Sequence, residues 1–542
     1  MRRSYLIAFS VILIIVIYIL GSKISNRLLL RYEEPDQVKN FEKLEEVLKY
    51  VASYYVDDID WDKATQSAID AILSDLDPHS VYISAQDAAL NEENFQGMYQ
   101  GIGIQFDIIE NYITVITPIP DSPSDRVGLM AGDRIIKIDG ESAIGMSQSD
   151  VPKKLKGPKG TEVDITVLRD GVNEPLEFTI IRDDIPIFTV NAYHMNQDST
   201  GYIFLSRFAK TTEEEFEGAL SDLEQQGMKR LVLDLRGNAG GYLDQAVKVA
   251  ARFISGHNKI VYTKGKLSHF NEYYYADSFG SKKIREIPLI ILINHASASA
   301  SEIVAGAIQD YDRGLIVGTT SFGKGLVQRE FQLNDDSRLR LTISKYYTPS
   351  GRLIQRPYKG KKIEQYYGFD SLAVDTVRND SLEQGSVYYT ASGRRVFGGG
   401  GIRPDSTIDF ISNVKTPKLI QRMLQKRIFF ELASKYANRH KSLGDSFETF
   451  SRDFEVSDAL VNDLFALAQE KNITSTTPDM IANRAYMKNK LKAEIARSLW
   501  GNDKYYIVLL ENDNQFQQAL KLFPDAERIR QRFRKNMALN DR

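Results

Sequence analysis

Two short runs dominated by Leu, Ile and Val constrain the fold of this 542-residue chain more than any other feature. They are Leu231–Leu235 and Leu289–Ile293, and each is followed by a loop of small residues. Helical spacing of apolar residues then begins, around Ala246–Ala250 after the first run and Ile303–Tyr311 after the second. Strands that are apolar on both faces and alternate with helices are typical of a sheet covered on both sides. The sequence therefore predicts an α/β core.

The chain is too long for one hydrophobic core, and its periodicity changes along its length. Helical spacing over residues 41–76 predicts two amphipathic helices, and a spacing of two over 95–182 predicts a small β-rich module. Residues 359–387 are polar and irregular, which indicates a loop or hairpin insertion. Beyond residue 415 the pattern is helical and charged, and a strand pattern returns only at Tyr505–Val508. We therefore predict an N-terminal segment at 1–30, a helical region at 31–90, a β module at 91–183, an α/β core at 184–410 and a helical extension at 411–542.

The N-terminus carries an apolar run from Tyr5 to Leu20, preceded by Arg2 and Arg3. As a helix, a run of this length barely spans a bilayer core of about 30 Å. No small-x-small cleavage site closes it, which favours an uncleaved anchor over a cleaved signal peptide. The sequence thus predicts a protein anchored in the membrane by residues 1–30, with the rest of the chain in the periplasm.

Composition excludes several classes of function. The absence of cysteine excludes disulfides, cysteine nucleophiles and thiolate metal sites, and no two of the six histidines have the spacing of a zinc-binding helix. A net charge of -3 and a pI near 6.2 give no indication of a nucleic-acid partner. We expect no metal, no cofactor and no nucleic acid.

Three serines alternate with alanine in Ser297–Ser301, between the second apolar run and the helix that follows it. A serine there would be exposed at the tip of a rigid element, near helix N-terminal amides that stabilise negative charge. Helix capping is the alternative, because serine is a preferred N-cap residue and Ser301 could serve as one. Capping does not require three serines, but this motif alone leaves both interpretations open.

A lysine lies between two glycines in the segment Ser321–Gln328. If the chain is extended there, Lys324 and Gln328 lie on the same face. Lysine is a general base only when neutral, so burial would have to lower its pKa from about 10.4 towards 7. A solvated loop lysine is the alternative, and the glycine spacing of a phosphate loop is missing.

A third motif, Asp234–Gly241, leads from the first apolar run through a diglycine loop to a helix. Backbone N–H groups in such a loop can form an oxyanion hole. A tight turn between strand and helix, or a nucleotide-binding loop, is the alternative.

Taken together, the diglycine, serine and lysine segments, which follow one another in that order along the chain, resemble the C-terminal processing (tail-specific) serine peptidase family with a PDZ domain. The resemblance covers about residues 41–405 and includes Leu76–Tyr82 and Tyr347–Pro357. It implies an α/β and α+β multidomain fold, in which a crotonase-like α/β peptidase core carries an inserted PDZ-like β module, an N-terminal helical segment and a helical C-terminal extension. Ala239 and Ser321 depart from the commonest pattern, which has proline and threonine there, but neither change removes a reacting atom.

The resemblance also implies roles for individual residues. Ser299 would be the nucleophile of a serine endopeptidase, Lys324 its general base, and Gln328 the residue that orients the lysine. The oxyanion would be held by the Ala300 amide together with Gly240 or Gly241. An acyl-enzyme would form on Ser299 and water would hydrolyse it.

The β module resembles a PDZ domain at its first strand. Gly101, Ile102, Gly103 and Ile104 match the loop whose amides receive a terminal carboxylate while the peptide adds as a strand. This implies protein or peptide substrates with accessible apolar C-termini. A purely structural β module is the alternative.

Two other functions fit part of the sequence. A catalytically silent PDZ scaffold at the membrane would not need both Ser299 and Lys324. An acyl-CoA enzyme of crotonase type would leave Lys324 and the β module unexplained. In the extension at 411–542, the charged segment Glu527–Arg534 is most simply explained as a solvated helix face. The alternative is that the extension docks a regulatory partner or a second copy of the chain.

Overall fold

The computed structural model describes residues 35–196, 198–280, 282–361, 363–367, 386–410, 414–474 and 476–540. The chain divides into two units, Met1–Asp75 and Leu76–Arg542. The first unit contains the two predicted helices, α1 (Pro35–Tyr54) and α2 (Trp61–Ser74). Asp60 caps α2 by accepting a hydrogen bond from the Lys63 N–H at 3.0 Å.

The predicted membrane location is corrected by the character of the helices. Within the described ranges, no helix combines the length and the apolar composition needed to cross a membrane. Helix α1 has twenty residues, but lysine and glutamate recur along it. The apolar run at residues 5–20, on which the anchor prediction depended, lies outside the described residues. The prediction of a membrane-anchored protein with a periplasmic catalytic part is contradicted by this finding.

The second unit begins with elements that lead into a six-stranded antiparallel sheet. They are β1 (Val81–Ile83), α3 (Ala85–Gln96), β2 (Met98–Gly101), β3 (Ile104–Ile109), β4 (Tyr112–Pro118), α4 (Pro123–Arg126), β5 (Arg134–Ile138), β6 (Glu141–Ser142), α5 (Val151–Leu155), β7 (Glu162–Leu168), β8 (Leu176–Ile181) and β9 (Asp183–Pro186). The sheet has the order β3-β4-β5-β7-β8, with β6 on β5, while β2 pairs with β9. Val163, Ile165 and Val167 are buried and alternate with polar residues, as the spacing of two predicts. Among the described strands β3 pairs only with β4, so its outer edge can accept another strand.

The α/β core follows, and it confirms the predicted alternation of strands and helices. Its elements are β10 (Val190–Met195), β11 (Thr200–Leu205), α6 (Thr212–Gln225), β12 (Arg230–Asp234), α7 (Leu243–Ala250), β13 (Lys259–Gly265), β14 (Tyr273–Tyr275), β15 (Leu289–Ile293), α8 (Ala300–Asp310), β16 (Leu315–Gly318), β17 (Leu326–Gln332), β18 (Arg338–Tyr347), α9 (Ile363–Tyr367), β19 (Val387–Tyr389), β20 (Arg395–Phe397) and β21 (Ser406–Thr407), with a 3₁₀ turn at Ser268–Phe270.

Two sheets of this core position the loops that carry the motifs. One has the order β10-β11-β12-β15-β16-β21 and is parallel from β11 onwards, so the loops after β12, β15 and β16 leave the same edge. Ligand sites of open α/β sheets form at this carboxyl edge. The other sheet has the order β1-β18-β13-β14, with β17 on β18, and β17 begins directly after Gly325.

The extension is helical, as predicted. Its helices are α10 (Pro417–Gln425), α11 (Ile428–Arg439), α12 (Phe447–Asp453), α13 (Asp458–Glu470), α14 (Thr477–Ala482), α15 (Arg484–Trp500), α16 (Asn502–Leu510), α17 (Asn514–Lys521) and α18 (Phe523–Asn540), with a 3₁₀ turn at Lys441–Asp445. The strand pattern at Tyr505–Val508 was misleading, because these residues lie in α16. Ile507, Val508 and Leu510 are buried there, and so short an apolar run does not distinguish a strand from a buried helix.

Candidate active site

Ser299 lies at the N-cap of α8, directly after the loop that follows β15. Its backbone has φ +55° and ψ −113°, a conformation that non-glycine residues rarely adopt. Such strain persists where surrounding structure imposes it, and it is concentrated at functional sites. Ser299 lines a cavity of about 690 Å³ that Lys324 and Gln328 also line. The structure thus brings the predicted nucleophile, base and orienting residue to one cavity.

The other two serines of the motif are buried and hold two loops together. Ser297 Oγ donates to the Leu235 carbonyl at 2.8 Å, and Ser301 Oγ donates to the Asn238 carbonyl at 2.8 Å. Both side chains are inaccessible to solvent. The alternation of serines therefore has a structural basis: the outer two join the loop after β15 to the loop after β12, and the middle one faces the cavity.

Because of these contacts, substitutions of the three serines should have different effects on stability and activity. We expect Ser297→Ala and Ser301→Ala to lower the free energy of unfolding by about 1–3 kcal/mol each, because each leaves a buried carbonyl with one partner fewer. Both variants should retain substantial peptidase activity. Urea unfolding and peptide turnover, measured on the same preparations, check this. Loss of all turnover in a stable Ser297→Ala protein would assign the nucleophile differently.

The diglycine loop lies directly against Ser299. A Cβ on Gly240 would stand 2.8 Å from Ser299 Cβ and 3.0 Å from Ala300 N, and one on Gly241 would stand 2.0 Å from the Phe208 carbonyl oxygen. Their φ values of +101° and +146° also favour glycine. The Gly240 N–H donates to Asn238 Oδ1 at 2.9 Å. In the part of the chain that the structure describes, no protein hydrogen bond takes up the N–H of Gly241 or of Ala300.

Lys324 is held by a neutral partner. Its Nζ donates to Gln328 Oε1 at 2.7 Å, so the two side chains are in contact. Burial, helped by the positive charge of Arg340, lowers the pKa of Lys324 to about 8, although the charges of Asp77 and Glu302 act to raise it. An amine with this pKa is partly neutral near pH 8, as a general base requires.

Gln328 is itself held by the loop before β1, which lies in the stretch Leu76–Tyr82 that carries part of the family resemblance but was given no role in the site. Gln328 Nε2 donates to the carbonyl oxygen of His79. Asp77 fixes this loop, because Oδ1 accepts from the His79 N–H at 2.9 Å and Oδ2 accepts from Ser80 Oγ at 2.7 Å. Burial lowers the pKa of His79 to about 4, with a further contribution from Lys324, so the imidazole is neutral at working pH. The hydrogen bond from Gln328 to the His79 carbonyl therefore orients the glutamine without adding a charge beside Lys324.

Sequence reasoning missed Glu302, which joins the serine loop to the lysine loop. Its Oε2 accepts from the N–H groups of Ser299 at 2.8 Å and Lys324 at 2.9 Å. Its Oε1 accepts from Ser321 Oγ at 2.5 Å and the Gly323 N–H at 2.7 Å. Burial raises the pKa of Glu302 to about 7 in spite of these four donors. The pattern of serine followed three residues later by glutamate, a capping box, is the signal that could have found it.

His295 lies four residues before Ser299, but its position does not favour a role as the general base. The side chain is exposed and lines a separate cavity of about 460 Å³, together with Arg236 and Tyr506. Ser299 and Lys324 do not line this cavity.

The predicted carboxylate-binding loop lies between β2 and β3. Ser124 N–H donates to the Ile102 carbonyl and Ser122 Oγ to the Gly103 carbonyl, both at 2.9 Å, so these carbonyls are engaged within the domain. Ile102 and Ile104 line a small apolar cavity against α5, beside the open edge of β3. Lys156 stands at the same cavity and forms an ion pair with Glu93.

Three stretches of the chain match protein families. Residues 199–364 match peptidase family S41, residues 100–180 match the PDZ domain, and residues 419–501 match a family of unknown function, DUF8443.

The chain is also similar to several named proteases. The carboxy-terminal-processing protease of Bartonella bacilliformis is 39% identical over 326 residues, which are 59% of this chain and 74% of that protein. Carboxy-terminal processing protease CtpB of Bacillus subtilis is 33% identical over 326 residues, 60% of this chain and 67% of that protein. The solved photosystem II D1 C-terminal processing protease aligns with a TM-score of 0.34 and 27% identity, over 68% of this chain and 86% of its own. The chain therefore belongs to peptidase family S41, as a carboxy-terminal processing serine protease with a PDZ domain.

Proposed function

We propose that this protease is an endopeptidase that cleaves peptide bonds with a Ser299–Lys324 dyad, and that its PDZ domain captures the C-terminus of the substrate. The observation that carries the proposal is the shared cavity, which is lined both by a strained serine and by a partly buried lysine whose pKa is lowered to about 8. A buried amine held by an uncharged amide is suited to take a proton rather than to bind an anion.

The placement of these groups supports the following reaction. Lys324 Nζ takes the proton of Ser299 Oγ, and the oxygen attacks the substrate carbonyl. The N–H groups of Ala300 and Gly241 stabilise the resulting oxyanion, whereas the Gly240 N–H stays bonded to Asn238 and Gly240 allows the close approach. Lys324 returns the proton to the leaving amine, and water hydrolyses the acyl-enzyme in a second cycle of the same proton transfers. The core that carries these loops is proposed to be crotonase-like, an assignment supported by the parallel sheet with its diglycine loop at the carboxyl edge.

The experiment that tests this function is direct. Purified protein is incubated with a peptide that ends in Ala-Ala, and the products are identified by mass spectrometry. Internal cleavage that depends on Ser299 supports the proposal. Cleavage that survives Ser299→Ala, or release of single residues only, contradicts it.

Substrate capture predicts that a free C-terminus matters. Amidating the peptide should raise KM about tenfold, which corresponds to the loss of hydrogen bonds to a charged carboxylate. Gly101→Leu should cause a similar loss, because a side chain there would project towards Tyr99 and Lys156.

The two changes should not add, since both remove the same interaction. Gly101→Leu should therefore leave turnover of the amidated peptide unchanged. Steady-state kinetics on both peptides measure this, and equal turnover of free and amidated peptides by the unmodified enzyme would exclude carboxylate capture.

A further inference from the structure

The helical extension reaches the oxyanion loop through one arginine. Arg236 lies two residues after the end of β12 and directly before Gly237, at the start of the diglycine loop. Its guanidinium contacts Asp513, the N-cap of α17, and Gln515 on the first turn of that helix. Neither the sequence motifs nor the proposed reaction gives Asp513 and Gln515 a role.

The contacts around Arg236 saturate its side chain. Nε donates to Asp234 Oδ1 at 3.0 Å, and Nη2 lies 2.6 Å from Asp234 Oδ2 and 2.7 Å from Asp513 Oδ2. Nη1 donates to Asp513 Oδ1 and Gln515 Oε1, both at 3.0 Å. Asp513 therefore holds the guanidinium in a two-point fork, the most directional form of ion pair. Gln515 is anchored in turn, because its Nε2 donates to the Ile408 carbonyl at 2.7 Å.

The cluster is shielded from water. The exposed fractions of the side chains are 13% for Arg236, 3% for Asp234 and 17% for Asp513. Burial works against the charged guanidinium, yet the two carboxylates raise the pKa of Arg236 well above its ordinary value. Without the Asp513 charge, Arg236 would keep Asp234 as its one ionic partner in this cluster, so the fork that ties its guanidinium to the extension would be lost and the side chain could shift towards Asp234.

Movement of Arg236 would reach the catalytic groups through a short chain of hydrogen bonds. The next N–H, of Gly237, donates to Asn294 Oδ1 at 3.0 Å in the serine loop. Asn238 then receives the Gly240 N–H on its side chain and donates from Nδ2 to the Leu205 carbonyl at 2.8 Å. The loop from Arg236 to Gly241 is thus fixed at its start by the extension and at its middle by the core.

We infer that Asp513 and Gln515 are positioning residues of the peptidase, which hold the oxyanion loop in its working conformation through Arg236. The inference rests on the proposed function, because it concerns the placement of the Gly241 N–H against the reacting carbonyl. It makes the extension a part of the catalytic unit rather than only a docking surface.

Asp513→Asn is the first test. Asparagine caps helices as well as aspartate does, so α17 should keep its hydrogen bond from the Phe516 N–H to residue 513. The charge that ties Arg236 to the extension is lost, while its pair with Asp234 is kept. We expect kcat to fall about tenfold, since a displacement of about 1 Å in a catalytic group can cost up to about a hundredfold. KM and the pH midpoint of turnover should not change.

A matched control variant and a double-mutant cycle distinguish loss of loop positioning from general destabilisation of the protein. Glu511→Gln removes an acidic charge two residues away, from an exposed pair with Lys492, and should leave kcat unchanged. In a double-mutant cycle, Asp513→Asn should have almost no further effect in an Arg236→Gln background, because Asp513 acts through the arginine. Additive losses, or an unchanged kcat in Asp513→Asn, would overturn the inference.

Amide hydrogen exchange provides a readout that does not depend on turnover. Peptides that cover residues 236–242 should exchange faster in Asp513→Asn than in the unmodified protein and in Glu511→Gln. If the unmodified protein cleaved nothing, the proposed function would fail, but exchange would still decide whether the extension holds this loop. Unchanged exchange at 236–242 would contradict the inference even in a fully active enzyme.

Discussion

Lys324→Arg is expected to reduce turnover about 10³-fold or more, although the protein stays folded and the positive charge is kept. Arginine does not deprotonate at working pH, so it cannot take the proton of Ser299. Its planar group also cannot donate to Gln328 Oε1 in the geometry that Lys324 Nζ has at 2.7 Å. The rate of peptide cleavage under single-turnover conditions measures this loss of activity. Lys345→Arg, at an exposed position of β18, is the matched control and should be fully active.

The pH dependence of the unmodified enzyme tests the same role. The base is competent when neutral, so turnover should rise with pH through a midpoint near 8, the value to which burial lowers the pKa of Lys324. Arg340→Gln should move this midpoint upwards, because it removes the positive charge that helps to lower the pKa of Lys324. Near-normal turnover of Lys324→Arg would show that lysine is only an electrostatic or structural element.

Ser299→Ala should reduce turnover by on the order of 10⁴-fold or more, as loss of a nucleophile does in serine peptidases. The fold should not be affected, because the Ser299 backbone N–H, and not its hydroxyl, bonds to Glu302 at 2.8 Å. The urea midpoint should therefore match that of the unmodified protein. Ser297→Ala and Ser301→Ala should show the opposite pattern, with lower stability and retained activity. Full activity of Ser299→Ala would remove the serine from the mechanism.

Much of the fold was predictable where a local pattern has one solution. The strand Leu289–Ile293 has the predicted bounds, because five consecutive apolar residues followed by a small-residue loop fit a buried parallel strand and little else. The strand pattern at residues 505–508 was misleading for the converse reason. Their aromatic and branched side chains suit a strand, but packing against the other helices of the extension decides in favour of α16.

Only those residues of the candidate site that lie in a recognisable sequence motif could be predicted from the sequence. Ser299, Lys324 and Gln328 stand in recognisable segments, and all three line one cavity. The contacts that hold them depend on tertiary structure. Glu302 reaches loops up to 22 residues away, and the His79 carbonyl that orients Gln328 is 249 residues distant and belongs to the backbone, which no side-chain motif reports.

The measurement that tests the central claim most directly is the identification of the covalent intermediate. An activated ester of the substrate peptide acylates faster than water can remove the acyl group, so the intermediate should accumulate before an acid quench. Mass spectrometry of the digested protein should find the acyl group on Ser299, at much lower yield in Lys324→Arg and absent in Ser299→Ala. An adduct on another residue, or hydrolysis of the ester at an unchanged rate by Ser299→Ala, would contradict the Ser299–Lys324 mechanism.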